Sequence, residues 1–223
     1  MFRSLSRFEK GLWLFSVLSV TLAFVLSGSG DVFTLTASLI GVTALVFVAK
    51  GHVIGQVLTV VFAVFYGVIS YFQHYYGEMI TYLGMTSPIA VMAAVEWLRN
   101  PYKGTKEVRV RRMMGKQMAV MWMLAALVTA GFHFVLKWLG NASLWWSTVS
   151  ITTSFVASWL TLMRSPGYAL AYAANDLVLI VLWVTAAAAD PGCIAMAVCF
   201  AVFFLNDSYG FVNWRRMMRR QQA

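Results

Sequence analysis

Eight long apolar runs, separated by short polar segments, extend along almost the whole chain. They lie near residues 12–27, 32–49, 53–72, 79–98, 117–138, 144–163, 167–188 and 193–213. Each run has close to the roughly 20 residues that a helix needs to cross about 30 Å of hydrocarbon. Hydrophobic residues make up 61% of the chain and charged residues only 11%, unlike a soluble domain. The pattern therefore predicts an all-α integral membrane protein with eight transmembrane helices.

The distribution of Lys and Arg indicates how these spans are oriented, because cytoplasmic loops retain basic residues and translocated loops lose them. With the N-terminus inside, sixteen of the seventeen Lys and Arg residues fall on one side, and only Lys137 points outward. We therefore expect both termini to be cytoplasmic and span one to be retained rather than cleaved as a signal peptide. Topology and contact with the anionic lipid bilayer then explain the net charge of +9, so no nucleic-acid partner is expected.

An internal repeat divides the predicted spans. Spans two to four end in Glu96-Trp97-Leu98-Arg99, spans six to eight end in Asn213-Trp214-Arg215-Arg216, and an offset of 114 residues aligns Lys50 with Arg164. A single linking helix between two three-helix units gives them the same orientation, so we predict one N-terminal helix followed by a SWEET-like 3+1+3 core of parallel repeats. The predicted segments are an N-terminal transmembrane helix (1–31), a first three-helix repeat (32–100), a basic cytoplasmic loop with a linker helix (101–143), a second three-helix repeat (144–214) and a basic cytoplasmic tail (215–223).

Asp176 is the only charged residue in span seven and lies near its middle, where insertion scales assign a charge a penalty of about 2.5–3.5 kcal/mol. Tyr172, Asp176 and Trp183 share one helical face, with Asn175 beside them. Such a face can stack a flat heterocycle and hold a positive charge, so we predict that these four residues bind the substrate. The alternative is that Asp176 is protonated or bonded to a neighbouring helix and serves packing alone.

Further candidates lie in spans four and eight. Asn206 and Tyr209 are predicted to face the substrate cavity, although a hydrogen-bond network between helices without a ligand explains them equally well. Tyr82 is the candidate binding residue of span four. Pro88, near the middle of that span, frees a backbone carbonyl and predicts a hinge, and Glu78 at the outer edge of the span is a candidate gate.

Motifs for other kinds of chemistry are missing from the sequence. It contains no phosphate-binding GxxxxGK[ST] loop, no paired-His metal motif and no nucleophile elbow, and its three His residues are scattered. We therefore expect a protein that is not an enzyme and that needs no metal and no cofactor.

Two short stretches resemble the Pnu vitamin transporters, a family that includes nicotinamide riboside transporters. The first is Tyr76-Gly77-Glu78-Met79, followed later in the sequence by Pro88, Trp97 and Arg99-Asn100. The second is the run Asn-Asp-Ser-Tyr-Gly-Phe-Val-Asn-Trp from Asn206 to Trp214. The resemblance implies a SWEET-like fold in the bacterial cytoplasmic (inner) membrane. It also implies facilitated diffusion of an unphosphorylated vitamin, which a cytoplasmic kinase traps through functional coupling only.

Four departures from the family pattern bear on the substrate. The resemblance implies that family members that transport nicotinamide riboside have Asn, Tyr, Gln and Trp at four positions. This chain has Tyr82, Met85, Ala90 and Ala94 there. The carboxylate of Asp176 suits a cation with an aminopyrimidine edge, which favours thiamine. Nicotinamide riboside, also a cation, is the alternative, and the uncharged riboflavin and deoxynucleosides rank behind both.

Two other functions compete with facilitated diffusion. One is the vitamin-binding subunit of an energy-coupling importer, although that class usually has six spans. The other is proton-coupled transport, with Asp176 or Asp207 as the titrating group. Small-residue faces on several helices are compatible with a homo-oligomer, without identifying its surface.

Overall fold

The computed structural model describes residues 4–28 and 31–222, and this part of the chain is helical without a β-strand. Arg3, which contributes to the predicted charge asymmetry, lies outside the described residues. The α-helices are α1 (Arg7–Ser27), α2 (Val32–Ala49), α3 (Val53–Phe72), α4 (Tyr76–Ile80), α5 (Ser87–Arg99), α6 (Gly115–Trp138), α7 (Leu144–Leu162), α8 (Gly167–Ala187) and α9 (Ile194–Gln222), with a π-helical segment at Thr81–Thr86 and a 3₁₀ turn at Pro191–Cys193.

Seven helical segments of the described chain are long and apolar enough to cross a membrane. They are α1, α2, α3, the continuous stretch Tyr76–Arg99, α6, α8 and Pro191–Gln222. The remaining predicted span, α7, forms a helix of 19 residues, but eight of them are Ser or Thr. These hydroxyl groups lower its hydropathy, so α7 does not reach the level of the other seven.

Local sequence signals explain where several helices begin and bend. Ser6 caps α1 through a capping box with Glu9, and Gly28 ends that helix in the left-handed conformation. Pro88 lies in the first turn of α5, directly behind the π-helical segment, and cannot donate a backbone hydrogen bond. The irregular backbone therefore lies where the proline in span four predicted a break, and π-helical turns are frequent at functional sites.

The helices differ in how deeply they are buried. Buried side chains of α2, α3, α8 and α9 form the central packing, with Tyr66, Leu182 and Phe200 among the most buried. Helix α6 packs mainly on α7 and exposes large apolar side chains such as Trp122 and Phe134. Exposed apolar area of this kind is expected where lipid replaces water as the solvent.

The basic residues gather at one end of the bundle, which we call the basic face (residues 50–52, 99–116, 163–166 and 215–222). The loop after α5 is held against this end, since the Arg111 backbone N–H donates to the Arg164 carbonyl at 2.9 Å and the Arg220 side chain pairs with Glu107. Arg164 also pairs with Glu96, in the last turn of α5, at 3.3 Å. The predicted basic tail continues α9 up to Gln222.

Candidate functional site

A small cavity lies in the centre of the bundle, between α2, α3, the π-helical segment, α7, α8 and α9. Its lining residues are Gly41, Ala44, Leu45, Val48, Gln56, Thr59, Phe62, Tyr82, Thr86, Thr161, Tyr168, Tyr172, Asp176, Phe203 and Asp207. The cavity has a free volume of about 40 Å³, room for about three or four water molecules at about 10–15 Å³ each. Side chains therefore fill most of the space between these helices.

Two carboxyl groups meet in this central cavity. Asp176 on α8 and Asp207 on α9 are each 3% exposed, and their side chains lie within hydrogen-bonding reach of each other. No Lys, Arg or His side chain of residues 4–28 and 31–222 lines the cavity. Two buried carboxylates without a positive partner are unfavourable, so this arrangement calls for a proton or a bound cation.

Further polar atoms of the cavity wall have no partner. Asp176 Oδ2, the Tyr168 hydroxyl and Thr86 Oγ1 are all buried and accept or donate no hydrogen bond within the described protein. Buried polar groups are nearly always hydrogen-bonded in native proteins. Three such atoms around one cavity therefore mark a place where a polar ligand or water completes the structure.

Aromatic rings form another part of the cavity wall. Phe62 contacts Phe203 edge to face at 5.3 Å between ring centroids, and Tyr82 lies edge-on to Phe62 at 6.0 Å. The Tyr172 hydroxyl lies 3.2 Å from Ser158 Oγ. Rings beside a carboxyl pair are suited to a flat ligand that carries a positive charge.

An aromatic layer separates the central cavity from a wider opening. Trp183 Nε1 donates to the Tyr66 hydroxyl at 2.8 Å, and Tyr66 also contacts Tyr82 at 4.4 Å and Phe200 at 5.3 Å between centroids. Trp183 lines a second cavity of about 730 Å³ at the end of the bundle opposite the basic face. We call Tyr66, Tyr75, Trp183 and Phe200 the aromatic layer.

The predicted binding residues divide into two groups. Asp176, Tyr172 and Tyr82 line the central cavity together, as the helical periodicity of span seven predicts for the first two. Trp183, predicted on the same face, lies one layer further along α8 and lines the wide cavity. The binding role of all four residues stays a prediction.

Asn175 is directed away from the central cavity and towards α7. Its Oδ1 accepts hydrogen bonds from Ser150, Thr153 and Ser154 at 3.2, 2.7 and 3.1 Å. The hydroxyl groups that lower the hydropathy of α7 thus serve a contact between helices. The neighbouring helix thus occupies the amide oxygen of Asn175, whereas its buried Nδ2 has no partner in the described protein, and the binding role of Asn175 stays a prediction.

The side chains of Asn206 and Tyr209 also point away from the central cavity, and both contact α1. Asn206 Nδ2 donates to Ser16 Oγ at 2.9 Å, while the Tyr209 hydroxyl donates to Glu9 Oε1 at 3.0 Å. Neither side chain lines the central cavity in this structure, and their binding role stays a prediction. The alternative, a hydrogen-bond network between helices, describes both residues.

Glu78 is more deeply buried than its predicted position at the outer edge of span four implies. The side chain is 0% exposed, and Oε2 accepts a hydrogen bond from Ser150 Oγ at 3.1 Å. Burial between α4 and α7 replaces the expected contact with the membrane surface. Its role as a gate, like the hinge role of Pro88, stays a prediction.

Sequence reasoning missed several residues of the cavity wall. The sequence predicts Asp207 as a candidate titrating group for proton-coupled transport but not as a binding residue, although it is charged and lies within an apolar span. Tyr168 lies one turn before Tyr172, so the face predicted from Asp176 could have been extended to it. Gln56 and Phe62 carry no comparable signal, because a lone amide or ring on α3 is ordinary for a membrane helix.

The family model described as "Nicotinamide mononucleotide transporter" matches residues 31–216. A protein of Neisseria mucosa named nicotinamide riboside transporter PnuC is 23% identical over an alignment covering all of this chain and 86% of that protein. One of the same name from Haemophilus influenzae is 22% identical over 81% of this chain and 77% of its own length.

A solved structure has the same fold. It is described as the crystal structure of the vitamin B3 transporter PnuC, and it superposes with a TM-score of 0.85 over 98% of this chain and 94% of that one. The two sequences are 21% identical, so the match concerns the fold alone. The all-helical architecture expected from the apolar runs is confirmed.

Proposed function

Because the chain belongs to the nicotinamide mononucleotide transporter family, we propose that it carries a cationic B-type vitamin across the membrane, with nicotinamide riboside as the favoured substrate. The family is one of membrane transporters rather than enzymes, and both named relatives are nicotinamide riboside transporters. The preference for thiamine that the residues suggested has no support in these relatives. Their names favour the alternative, nicotinamide riboside.

The observation that carries this proposal is the buried acidic pair in an aromatic cavity. Nicotinamide riboside has a flat pyridinium ring with one positive charge and a ribose with hydroxyl groups. The ring would lie among Phe62, Tyr82 and Tyr172, with its charge beside Asp176. The unpartnered atoms of Tyr168 and Thr86 are suited to the hydroxyl groups of the ribose.

Thiamine is the second candidate, and one residue favours it. Tyr82 occupies a position where nicotinamide riboside members are expected to carry Asn, and its side chain lines the central cavity. Of the other three departures, Ala90 is buried, and Met85 and Ala94 are half-buried, but none of the three lines the cavity. Tyr82 is therefore the departure that acts on the substrate most directly.

The mechanism we propose is facilitated diffusion by alternating access. The central cavity is too small for a vitamin as it stands, and the aromatic layer closes it from the wide cavity. Separation of Tyr66 from Trp183 would connect the two spaces, and the π-helical segment with Pro88 would act as the hinge. A cytoplasmic kinase, coupled by function alone, would trap the vitamin, so the transporter itself needs no ATP and no ion gradient.

We also propose eight spans, with α7 as the additional one, arranged as an N-terminal helix and a SWEET-like 3+1+3 core. Two indole groups support the repeat, since Trp97 donates to the Thr161 carbonyl at 3.1 Å and Trp214 donates to the Val48 carbonyl at 2.9 Å. The 114-residue offset pairs Val48 with Leu162, the neighbour of Thr161. Each proposed repeat thus bonds to the other within one residue of the equivalent position, close to what two-fold pseudosymmetry requires.

The basic face supports the proposed orientation. All Lys and Arg residues except Lys137 belong to its side of the bundle under the eight-span topology. We therefore place this face and both termini in the cytoplasm and the wide cavity outside the bacterial inner membrane. Substrate would enter through the wide cavity and leave towards the basic face.

A binding titration of the purified protein tests the substrate. Tryptophan fluorescence is recorded with nicotinamide riboside and with thiamine in parallel, and riboflavin is followed by its own fluorescence. We expect quenching at the lowest concentration with nicotinamide riboside. Tighter binding of thiamine would reverse the order of the two candidates, and no binding of either would reject the proposed function.

A further inference from the structure

The carboxyl groups of Asp176 and Asp207 approach each other from two helices that pack closely along their length. Both side chains are nearly inaccessible, and both line the central cavity. Asp176 Oδ2 has no hydrogen-bond partner in the described protein, nor do the Tyr168 hydroxyl and Thr86 Oγ1 in the same wall. The pair is therefore part of an incomplete polar site and not a closed structural network.

The groups that face the pair are all uncharged at neutral pH. The titratable ones nearby are Tyr82 of the π-helical segment, Tyr168 and Tyr172 of α8, and Cys199 of α9. The other packed helices contribute Gly41, Ala44, Leu45 and Val48 from α2, Gln56, Thr59 and Phe62 from α3, and Thr161 from α7. No described residue supplies a positive charge to balance an ionised carboxyl group here.

We propose that both carboxyl groups are protonated while the cavity is empty, and that binding of a monovalent organic cation releases one of the two protons. A charge buried without a partner in a low-dielectric site is strongly disfavoured, so the empty pair is neutral. One cation and one carboxylate also sum to zero. The site thus remains neutral in both states, and a cation replaces a proton.

The proton count of this step is simple. The O–H bond of one carboxyl group breaks, its proton leaves to solvent, and the remaining carboxylate pairs with the cation. The second carboxyl group keeps its proton and can donate it to the new carboxylate, which shortens and strengthens that hydrogen bond. No electron is transferred and no further reactant is needed. The inference rests on the proposed function only in that the ligand is a cation, which holds for both nicotinamide riboside and thiamine.

The proton release can be measured on the wild-type protein. Calorimetric titration with nicotinamide riboside at pH 7, in two buffers of different ionisation enthalpy, gives the number of protons released per ligand. We expect a value close to one, and a dissociation constant that falls about tenfold for each pH unit while the empty pair is protonated. Binding with no proton release and no dependence on pH would overturn the proposal but leave the proposed function intact. If neither vitamin binds, the proposed function fails and this inference fails with it.

Infrared difference spectra assign the proton to this pair. Binding at saturating ligand should remove a protonated carboxyl C=O band in the wild-type protein. That band should shift or disappear in Asp176→Asn and in Asp207→Asn, which retain a single carboxyl group. Glu96→Gln is the control, because Glu96 lies at the basic face beside Arg164 and outside the cavity. A band that stays unchanged in both Asp variants would place the proton elsewhere and contradict the proposal.

Discussion

Two buried acidic sites in this protein are built in opposite ways. Glu9, on α1, accepts hydrogen bonds from Lys50 Nζ at 3.0 Å, from the Tyr209 hydroxyl and from the backbone of Ser6. Asp176 lies beside a second acid and has an oxygen without any partner. The first site is complete and holds α1 against the bundle, whereas the second needs a ligand or a proton. Hydrogen-bond satisfaction, and not burial, distinguishes the two.

The largest effect on stability is expected at the complete site. Glu9→Gln removes the partner of Lys50 and should lower the free energy of unfolding by about 2–3 kcal/mol, because one member of a buried pair is left alone. Vitamin affinity should stay within twofold of the wild type. Thermal unfolding in detergent and fluorescence titration measure the two quantities. A large loss of affinity would show that the anchor and the cavity are coupled.

The reverse result is expected at the incomplete site. Asp176→Asn should weaken binding of the cationic vitamin at least tenfold, about 1.4 kcal/mol, on the scale of a hydrogen bond to a charged group. Stability should not decrease, since a neutral amide replaces a neutral carboxyl group of similar size that has an oxygen without a partner. The same two measurements apply. An unchanged dissociation constant would remove Asp176 from the binding site.

A smaller effect is expected in the aromatic layer. Tyr66→Phe removes the oxygen that accepts from Trp183 Nε1 and leaves a buried N–H group unpaired. The free energy of unfolding should fall by about 1 kcal/mol, and the tryptophan emission should change because Trp183 loses its partner. If the layer is the gate, uptake rates should change more than affinity. Trp97→Phe is a control for the loss of an indole hydrogen bond outside this layer.

The smallest expected effect is the pH dependence of stability from His52, between α2 and α3. Burial lowers the pKa of His52, and the charges of Lys50 and Lys106 add to this effect, whereas Glu9 opposes it. The unfolded chain then binds a proton more readily than the folded protein, so stability falls as the pH decreases from about 7 towards 5. The free energy of unfolding should differ between pH 5.5 and pH 7.5, and His52→Gln should reduce this difference by less than about 1 kcal/mol. An equal slope in both proteins would exclude His52 as its source.

Much of the architecture could be predicted because apolar length is a local property. Most helices begin and end close to the apolar runs, although α9 continues nine residues beyond the last run. The resemblance to the Pnu family is confirmed by the family match over residues 31–216. The predicted bend near Pro88 corresponds to irregular backbone, but a π-helical turn at Thr81–Thr86 has no sequence signal of its own. The low hydropathy of α7 has a structural reason that the sequence does not show, since three of its hydroxyl groups bond to Asn175.

The site could be predicted less well, because periodicity gives the face of a helix but not its neighbour. Asn206 and Asp207 are adjacent in sequence and therefore point about 100° apart on α9. One side chain reaches α1, and the other reaches Asp176. Which of them faces the cavity depends on where α1 and α8 pack, and nothing within α9 encodes that. The substrate could not be predicted either. The carboxylate of Asp176 selects a positive charge but does not distinguish one flat cation from another.

Uptake by liposomes that contain only this purified protein tests the central claim most directly. With the same pH on both sides and no ATP, labelled nicotinamide riboside should enter until it reaches equal concentration inside and outside. This uptake should be strongly reduced by Asp176→Asn but retained by Glu9→Gln. Uptake by the lone protein would also exclude a binding subunit that depends on an ATPase. No uptake by the wild type, or equal uptake by wild type and Asp176→Asn, would contradict the account.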